Sequence, residues 1–220
     1  GIVDRVDGWL HDGKLYLRVV DYKTGKKSFD LSDVWYGLGM QMLIYLFTLE
    51  KHGKRFYGHE IVPAGVLYAP ARDVYLSLPR SATDEEIRKA RAKSLMRSGL
   101  ILKDEEVIEA MERGEKRFIP VKFAKDGRLK PENLATLEQL GKLGAHIEET
   151  LRNIGRELQC GKIDADPFVK PNMCPCDYCD YIEACLFDEE RDRRRRLKHR
   201  KNEDIWIELE KKGGAGNGQN

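Results

Sequence analysis

The chain has almost no net charge. Its 39 Lys and Arg are set against 37 Asp and Glu, leaving +2 over 220 residues. Overall charge therefore announces no polyanionic partner, and any basic surface must be local. No long apolar run is present, so a membrane span is not expected. No internal repeat is visible, which argues against a stacked-repeat architecture. Cysteine is absent before Cys160. With no leader-like apolar segment ahead of the thiols, a reducing, cytoplasmic setting is expected rather than a disulfide framework. What remains is a chain 41% hydrophobic, long enough to bury one good core.

The most informative motif is Asp21-Tyr22-Lys23, at the end of the apolar run Leu15–Val20. Gly1 to Gly8 alternates and reads as a strand holding Asp4. His11-Asp12-Gly13-Lys14 reads as a turn, and Leu15 to Tyr22 as the second strand of a hairpin. Residues two apart on a strand share a face, so Asp21 and Lys23 point one way and Tyr22 the other. Two carboxylates and a lysine on neighbouring strands make a small metal site with a cation beside it. Carboxylate oxygens suit Mg²⁺, and a metal activates water and neutralises phosphate charge. The plainer reading is an exposed Asp-x-Lys at a strand end. Asp7 competes with Asp4, but three residues on it falls on the opposite face of a regular strand.

Asp33 to Glu50 reads as one strongly apolar helix, with Gln41 and Tyr45 four apart on one face. A Gln on such a helix needs a polar partner. The plainer reading is a core helix whose Gln bonds a neighbouring backbone.

Four of the five cysteines, Cys174, Cys176, Cys179 and Cys185, fall within twelve residues. Clustered thiols in a reducing setting bind metal more often than they pair. Structural zinc usually takes its ligands as two pairs. The triplet Cys176, Cys179 and Cys185 suits a Cys₄ iron–sulfur cluster better. A redox Cys-x-x-Cys would need a thioredoxin-like setting, which is missing. Cys160 follows a helix and reads as a small core residue.

Together, Gly1-Ile2-Val3-Asp4-Arg5-Val6-Asp7, Val20-Asp21-Tyr22-Lys23-Thr24-Gly25 and Gln41-Met42-Leu43-Ile44-Tyr45 resemble the PD-(D/E)xK nuclease superfamily, RecB-like branch. That resemblance implies an α/β, restriction-endonuclease-like mixed sheet flanked by helices, with an iron–sulfur cysteine cluster near the C-terminus. It implies Mg²⁺ or Mn²⁺ on Asp4, Asp21 and the Tyr22 carbonyl, Lys23 acting on the attacking water, and Gln41 and Tyr45 supporting the site. The cysteine triplet with Phe187-Asp188, and the segment from Gly99 to Phe168, are similar to the AddB (RexB) family of bacterial helicase–nuclease proteins. This likeness implies a [4Fe–4S] cluster on Cys176, Cys179 and Cys185, the fourth ligand lying upstream of Gly1 or being Cys174. It implies DNA ends, single-stranded, as substrate, exonuclease action at double-strand breaks, and an AddA-type helicase–nuclease as heterodimeric partner. By the same likeness the chain is expected to be part of a larger polypeptide. The rival readings are a stand-alone Cas4-type exonuclease and a non-catalytic DNA-binding or scaffold module.

Residues 1–190 are therefore expected to form the nuclease domain, 191–212 a basic arm and 213–220 a disordered tail. Arg193, Arg194, Arg195 and Arg196 lead the basic run and are the candidate phosphate contacts; a solvated helix face is the alternative. His59 to Tyr68 and Asp73 to Leu78 read as strands, and Ile119 to Ala124 as a short one. Thr83-x-x-Glu86 opens a helix to about Ser98, Asp104 caps another to about Arg113, and Pro131 begins a long helix ending near Leu158. Tyr22, Trp35 and Tyr36 are candidates for stacking on bases, with core packing as the alternative.

Overall fold

The structure is a computed structural model, and its described residues are 2–171, 173–188, 190 and 193–215. The hairpin forms as expected: β1 (Arg5–His11) and β2 (Lys14–Lys23) pair antiparallel around Asp12-Gly13. Both turn residues have positive φ (47° and 75°), the two-residue turn whose twist matches that of the flanking strands.

The apolar stretch after β2 is two helices, not one. Asp30 caps α1 (Leu31–Trp35), its Oδ1 accepting from the Ser32 N–H at 2.8 Å. Gly37 (φ 81°) and Gly39 (φ 63°) then turn the chain, and α2 (Gln41–His52) starts anew. Both glycines adopt a left-handed conformation that a helix cannot continue through. The short α3 (Lys54–Tyr57) leads into β3 (Glu60–Pro70), buried along nearly all its length.

β3 runs parallel to β2 on one side and antiparallel to β4 (Ser98–Leu102) on the other; α4 (Asp84–Ser94) lies between them in sequence. Pro63 is accommodated because the β2–β3 register shifts there, and β4 pairs only with Gly65 to Tyr68. Proline inside a sheet is confined to such bulges and unpaired positions. α5 (Glu105–Met111) is capped by Asp104, and β5 (Leu134–Ala135) completes a mixed sheet in the order β1-β2-β3-β4-β5. A capping box of Thr136 and Gln139 opens the long helix α6 (Leu137–Gln159). β6 (Phe168–Val169) and β7 (Arg195–Arg196) pair parallel as a second, two-stranded sheet, with α7 (Ile182–Cys185) between them in sequence. α8 (Asn202–Ala215) ends the described chain.

Two cores lie against this sheet. The larger joins Val19, Val66 and Leu100 to Leu43 and Leu46 of α2, Leu140 and Leu143 of α6, and Ile205 and Leu209 of α8. The smaller joins Val20, Leu67 and Ile101 to Ile108 of α5 and to Ile119 and Val121. Full burial of each such side chain stabilises the fold by roughly 2 kcal/mol. Asp21 and Lys23 share the strand face of Val19, which α2 covers; Arg18 and Tyr22 share the face of Val20.

Several expected boundaries are corrected. Asp73 to Leu78 forms no strand, and α4 stops at Ser94 because Ser98 opens β4. Ile119 to Ala124 contributes only the bridge of Phe123 with Leu129. Pro131 precedes β5, and the long helix begins at Leu137. Cys160 is exposed rather than buried in the core. The segment expected to be a basic arm carries α8, whose Ile205 and Leu209 are buried, and α8 continues through 213–215 of the expected tail. Residues 216–220 lie outside the described residues. Trp35 stacks on buried His146 with ring centroids 4.8 Å apart, and His146 Nε2 lies 3.1 Å from the Trp35 carbonyl oxygen. The Tyr36 hydroxyl donates to the Lys198 carbonyl at 3.0 Å, and the exposed Tyr22 accepts at its hydroxyl from Arg5 Nη1 at 3.1 Å.

The close β3–β4 contact gives a stability test. A Cβ on Gly99 would collide with the Val66 carbonyl, whereas one on Gly141, in α6, meets nothing within 4 Å. Gly99→Ala is expected to cost on the order of 3 kcal/mol, and Gly141→Ala to add up to about 1 kcal/mol. Urea unfolding of the two variants should shift the midpoint in opposite directions.

Candidate active site

The site is assembled at the end of β2. Asp21 pairs with Tyr68 of β3, and the Ala71 N–H donates to the Lys23 carbonyl at 2.9 Å, carrying the parallel pairing past the end of β3. Lys23 Nζ lies 2.6 Å from Asp21 Oδ2. Asp4 sits just before β1, outside the strand expected to hold it. Its Oδ2 accepts from the Tyr22 N–H at 2.9 Å, fixing Asp4 beside the end of β2. Asp4, through the Tyr22 N–H, and the Asp21–Lys23 pair thus lie at the same end of β2.

Asp7 is drawn elsewhere. It accepts from Arg5 Nε at 2.5 Å and from Arg18 Nε at 2.8 Å. Burial opposes its charge, but the two guanidiniums outweigh that and hold its pKa below the ordinary 3.8. Asp21 Oδ2 is a different case. It is buried, and its close partner is the Lys23 ammonium at 2.6 Å. A charge-assisted contact of this kind offsets the cost of burying the carboxylate. The carboxylate is a hard oxygen donor of the kind Mg²⁺ takes. Hydrogen bonding to Asp21 raises the pKa of Lys23; burial opposes this, and the charges of Asp21, Tyr68 and Asp4 add to it. Lys23 is accordingly an ammonium.

The sequence reading missed two neighbours. The buried Tyr68 ring has Lys23 Nζ at 6.0 Å from its centroid and Lys27 Nζ at 5.9 Å, within cation–π range. Burial, then the Asp21 charge, pushes the Tyr68 hydroxyl pKa up. Beyond them opens a cleft of about 290 Å³ lined by Lys23, Lys26, Lys27, Tyr68 and Arg72. Lys26 and Lys27 were visible in the sequence, but the place of Tyr68 follows only from the parallel register.

Gln41 and Tyr45 form a second pair. Gln41 Nε2 donates to the Tyr45 hydroxyl at 3.0 Å, and Tyr45 packs on the larger core. The turn at Gly37–Gly39 places Gln41 in the first turn of α2, where its side chain is exposed. Among the described residues no hydrogen bond links this pair to Asp21 or Lys23.

The cysteines are only partly gathered. Cys174 is buried and Cys176 half-buried; Cys179 and Cys185 are exposed. Burial first, then a hydrogen bond with Cys174, pushes the Cys176 thiol up, and Cys179 lies close enough to add to this. Among the described residues no group of three or more His, Cys, Asp or Glu side chains converges as a ready metal cage. Arg194 stands 3.5 Å from Cys174 Sγ and over the Phe187 ring, and Arg195 pairs with Asp166 at 2.9 Å. Arg193 and Arg196 are exposed.

The family model of the PD-(D/E)XK nuclease superfamily matches residues 1–186. The chain belongs to the PD-(D/E)XK nuclease superfamily. It is 36% identical over 211 residues to the B subunit of the ATP-dependent helicase/deoxyribonuclease of Ruminiclostridium cellulolyticum, covering 94% of this chain and 18% of that protein. It is 37% identical over 227 residues to the protein of the same name from Clostridium perfringens, covering 99% and 20%. It is 36% identical over 212 residues to that of Acetivibrio thermocellus, covering 94% and 18%. The chain spans about a fifth of the length of these curated relatives. The five-stranded mixed sheet flanked by helices agrees with the superfamily fold.

The Asp7 pairing has a pH signature. Its folded pKa is depressed, so its stabilisation is complete above the ordinary 3.8 and fades as pH falls through the lower folded value. Asp7→Asn should lose roughly 2 kcal/mol at neutral pH. That deficit should shrink below pH 3.8, as checked by urea midpoints across an acid series.

Proposed function

We propose that this chain is the nuclease portion of a B-type component of an ATP-dependent helicase/deoxyribonuclease. In this reading it hydrolyses DNA phosphodiesters at Asp4, Asp21 and Lys23. The observation that carries the reading is the buried Asp21 Oδ2 against the Lys23 ammonium, with Asp4 tied to the intervening Tyr22 N–H, in a superfamily member.

Two carboxylates are a donor set that suits Mg²⁺ or Mn²⁺, which bind through one or two carboxylates, waters and substrate phosphate. Asp4, Asp21 and the Tyr22 carbonyl would hold the ion. When bound, it supplies acidification of water and neutralisation of phosphate charge. The rest falls to the protein. Lys23 donates hydrogen bonds that orient the attacking water in line with the phosphorus, and its charge offsets the charge of the phosphate oxygens. Asp4, tied to the Tyr22 N–H, keeps its carboxylate turned to the same point. Gln41 and Tyr45 present paired polar atoms from α2 to the strand being cut. Lys26, Lys27 and Arg72 line the continuation of the cleft and attract neighbouring phosphates.

The finer reading is an Mg-dependent exodeoxyribonuclease that processes single-stranded DNA ends at double-strand breaks with an AddA-type partner, in the cytoplasm. The names and lengths of the relatives favour this over a stand-alone Cas4-type exonuclease. Among the described residues no helix is long and apolar enough to cross a membrane. Cys176, Cys179 and Cys185 would ligate a [4Fe–4S] cluster, with Cys174 or an upstream cysteine as the fourth ligand. Its role would be structural, since hydrolysis moves no electrons. Arg193 and Arg196 would contact DNA phosphates, whereas Arg194 and Arg195 also hold the local fold.

With linear single-stranded DNA and Mg²⁺ or Mn²⁺, the protein should release acid-soluble nucleotides. Asp21→Asn and Lys23→Ala should each lower the rate by roughly a thousandfold or more. Gln41→Ala should lower it by about 10- to 100-fold. Cleavage by Lys23→Ala at the parental rate would sink the assignment, and a non-catalytic module would show no metal-dependent release at all.

Iron and sulfide analysis after anaerobic reconstitution tests the cluster. Cys179→Ser and Cys185→Ser should lose the iron; Cys160→Ser should keep it. Cys174→Ser should lose it if Cys174 is the fourth ligand, and full retention would exclude that role.

A further inference from the structure

Tyr68 belongs at once to the core and to the cleft. In the parallel register it lies opposite Asp21, and it joins Val19 and Val66 in the larger core. It is 7% exposed, yet it lines the cleft with Lys23, Lys27 and Arg72. Two ammonium groups stand over its one ring, Lys23 Nζ at 6.0 Å and Lys27 Nζ at 5.9 Å from the centroid. The chain bends at Thr24 and Gly25, just after β2, and returns Lys27 to the ring that Lys23 already faces.

Packing alone would accept any apolar side chain of similar size at this position. An aromatic ring adds a quadrupole whose negative face attracts cations, most strongly where water is excluded. Two ammonium groups beside one another repel, and the shared ring face offsets that repulsion. Lys23 has a second partner in Asp21 Oδ2 at 2.6 Å. In the nuclease reading, however, Asp21 also takes the divalent ion, and its hold on the ammonium is then shared. A ring face offers a hard divalent ion no oxygen, so its pull on Lys23 is not divided in this way. Lys27 is exposed and makes no ion pair among the described residues, which leaves the ring as the group that draws it to the cleft wall.

We propose that Tyr68 is a positioning residue, whose ring face holds the Lys23 ammonium at the attacking water and keeps Lys27 beside it for the neighbouring phosphate of the strand. This role rests on the nuclease reading of Asp4, Asp21 and Lys23, and adds to it the side chain that keeps the lysine in place. It belongs to the ring and not to the hydroxyl.

The ring's electronics can be changed while its shape is kept. Tyr68→Phe removes the hydroxyl alone, and monofluorinated and trifluorinated phenylalanine incorporated at position 68 weaken the attraction stepwise at nearly constant size and apolarity. Metal-dependent cleavage of linear single-stranded DNA is followed in each. Tyr68→Phe should keep the parental kcat to within about twofold, and kcat should fall with added fluorine, to about tenfold below in the trifluorinated protein. Tyr68→Leu, which removes the ring, should lower kcat by roughly 10- to 100-fold; should it not fold, the fluorinated series decides alone. A second readout needs neither metal nor activity. In the metal-free protein the ε-methylene protons of Lys23 and Lys27, assigned with Lys23→Arg and Lys27→Arg, should resonate upfield of ordinary lysine because they lie over a ring face. That shift should persist in Tyr68→Phe and disappear in Tyr68→Leu. With an active parental protein, a kcat indifferent to fluorination, a Tyr68→Phe defect as large as that of Tyr68→Leu, or ordinary ε-methylene shifts would overturn this role and leave the nuclease reading intact. A parental protein without metal-dependent cleavage would instead overturn both.

Discussion

The candidate site depends on the parallel pairing of β2 with β3. β3 is buried along almost its whole length, so its peptide groups must be satisfied by neighbouring strands. β2 and β4 do this. The pairing is strongly specified because both faces of β2 are apolar and differ: Val19 belongs to one core and Val20 to the other. A slip of one residue would exchange the two faces and carry Asp21 and Lys23 away from α2. The same register sets Tyr68 opposite Asp21 and ends β2 where Lys23 opens onto the cleft.

The polar groups are divided by that sheet. On the α2 face, Asp21 keeps a buried oxygen that only an ammonium approaches. On the α5 face, Asp7 is paired with the guanidiniums of Arg5 and Arg18. Each carboxylate is matched to neighbouring cations. Both pairings lie in a chain whose net charge is only +2, so they are products of placement rather than composition.

Local signals were legible where one residue type satisfies one backbone need. Asp12-Gly13 supplies two positive φ values, Thr83 and Glu86 satisfy each other's backbone, and Asp104 caps α5. The Asp4…Asp21-Tyr22-Lys23 cluster was legible because strand alternation alone puts Asp21 and Lys23 on one side. Other features were hidden. The glycine turn at 37–39 sits inside a run whose hydrophobic period continues across it, so two helices read as one. β4 is short and glycine-containing, and it forms because Gly99 lets it approach β3 closely. Trp35 looked available for stacking, but α6 and α8 enclose it between His146, Arg200 and Lys212. The basic run before α8 read as a free arm, yet Arg195 is tied to Asp166 and Arg200 to Glu208.

By itself the sequence determined the hairpin, the face shared by Asp21 and Lys23, and the face shared by Gln41 and Tyr45. Each rests on the period of one element, which is a covalent property of the chain. Tertiary structure alone decided that Asp4 reaches the Tyr22 N–H, that Tyr68 backs Lys23, and that Asp7 is claimed by Arg5 and Arg18 instead of the site. These contacts join residues far apart in sequence, and their energies depend on burial and register, which exist only once the sheet has closed against its two cores.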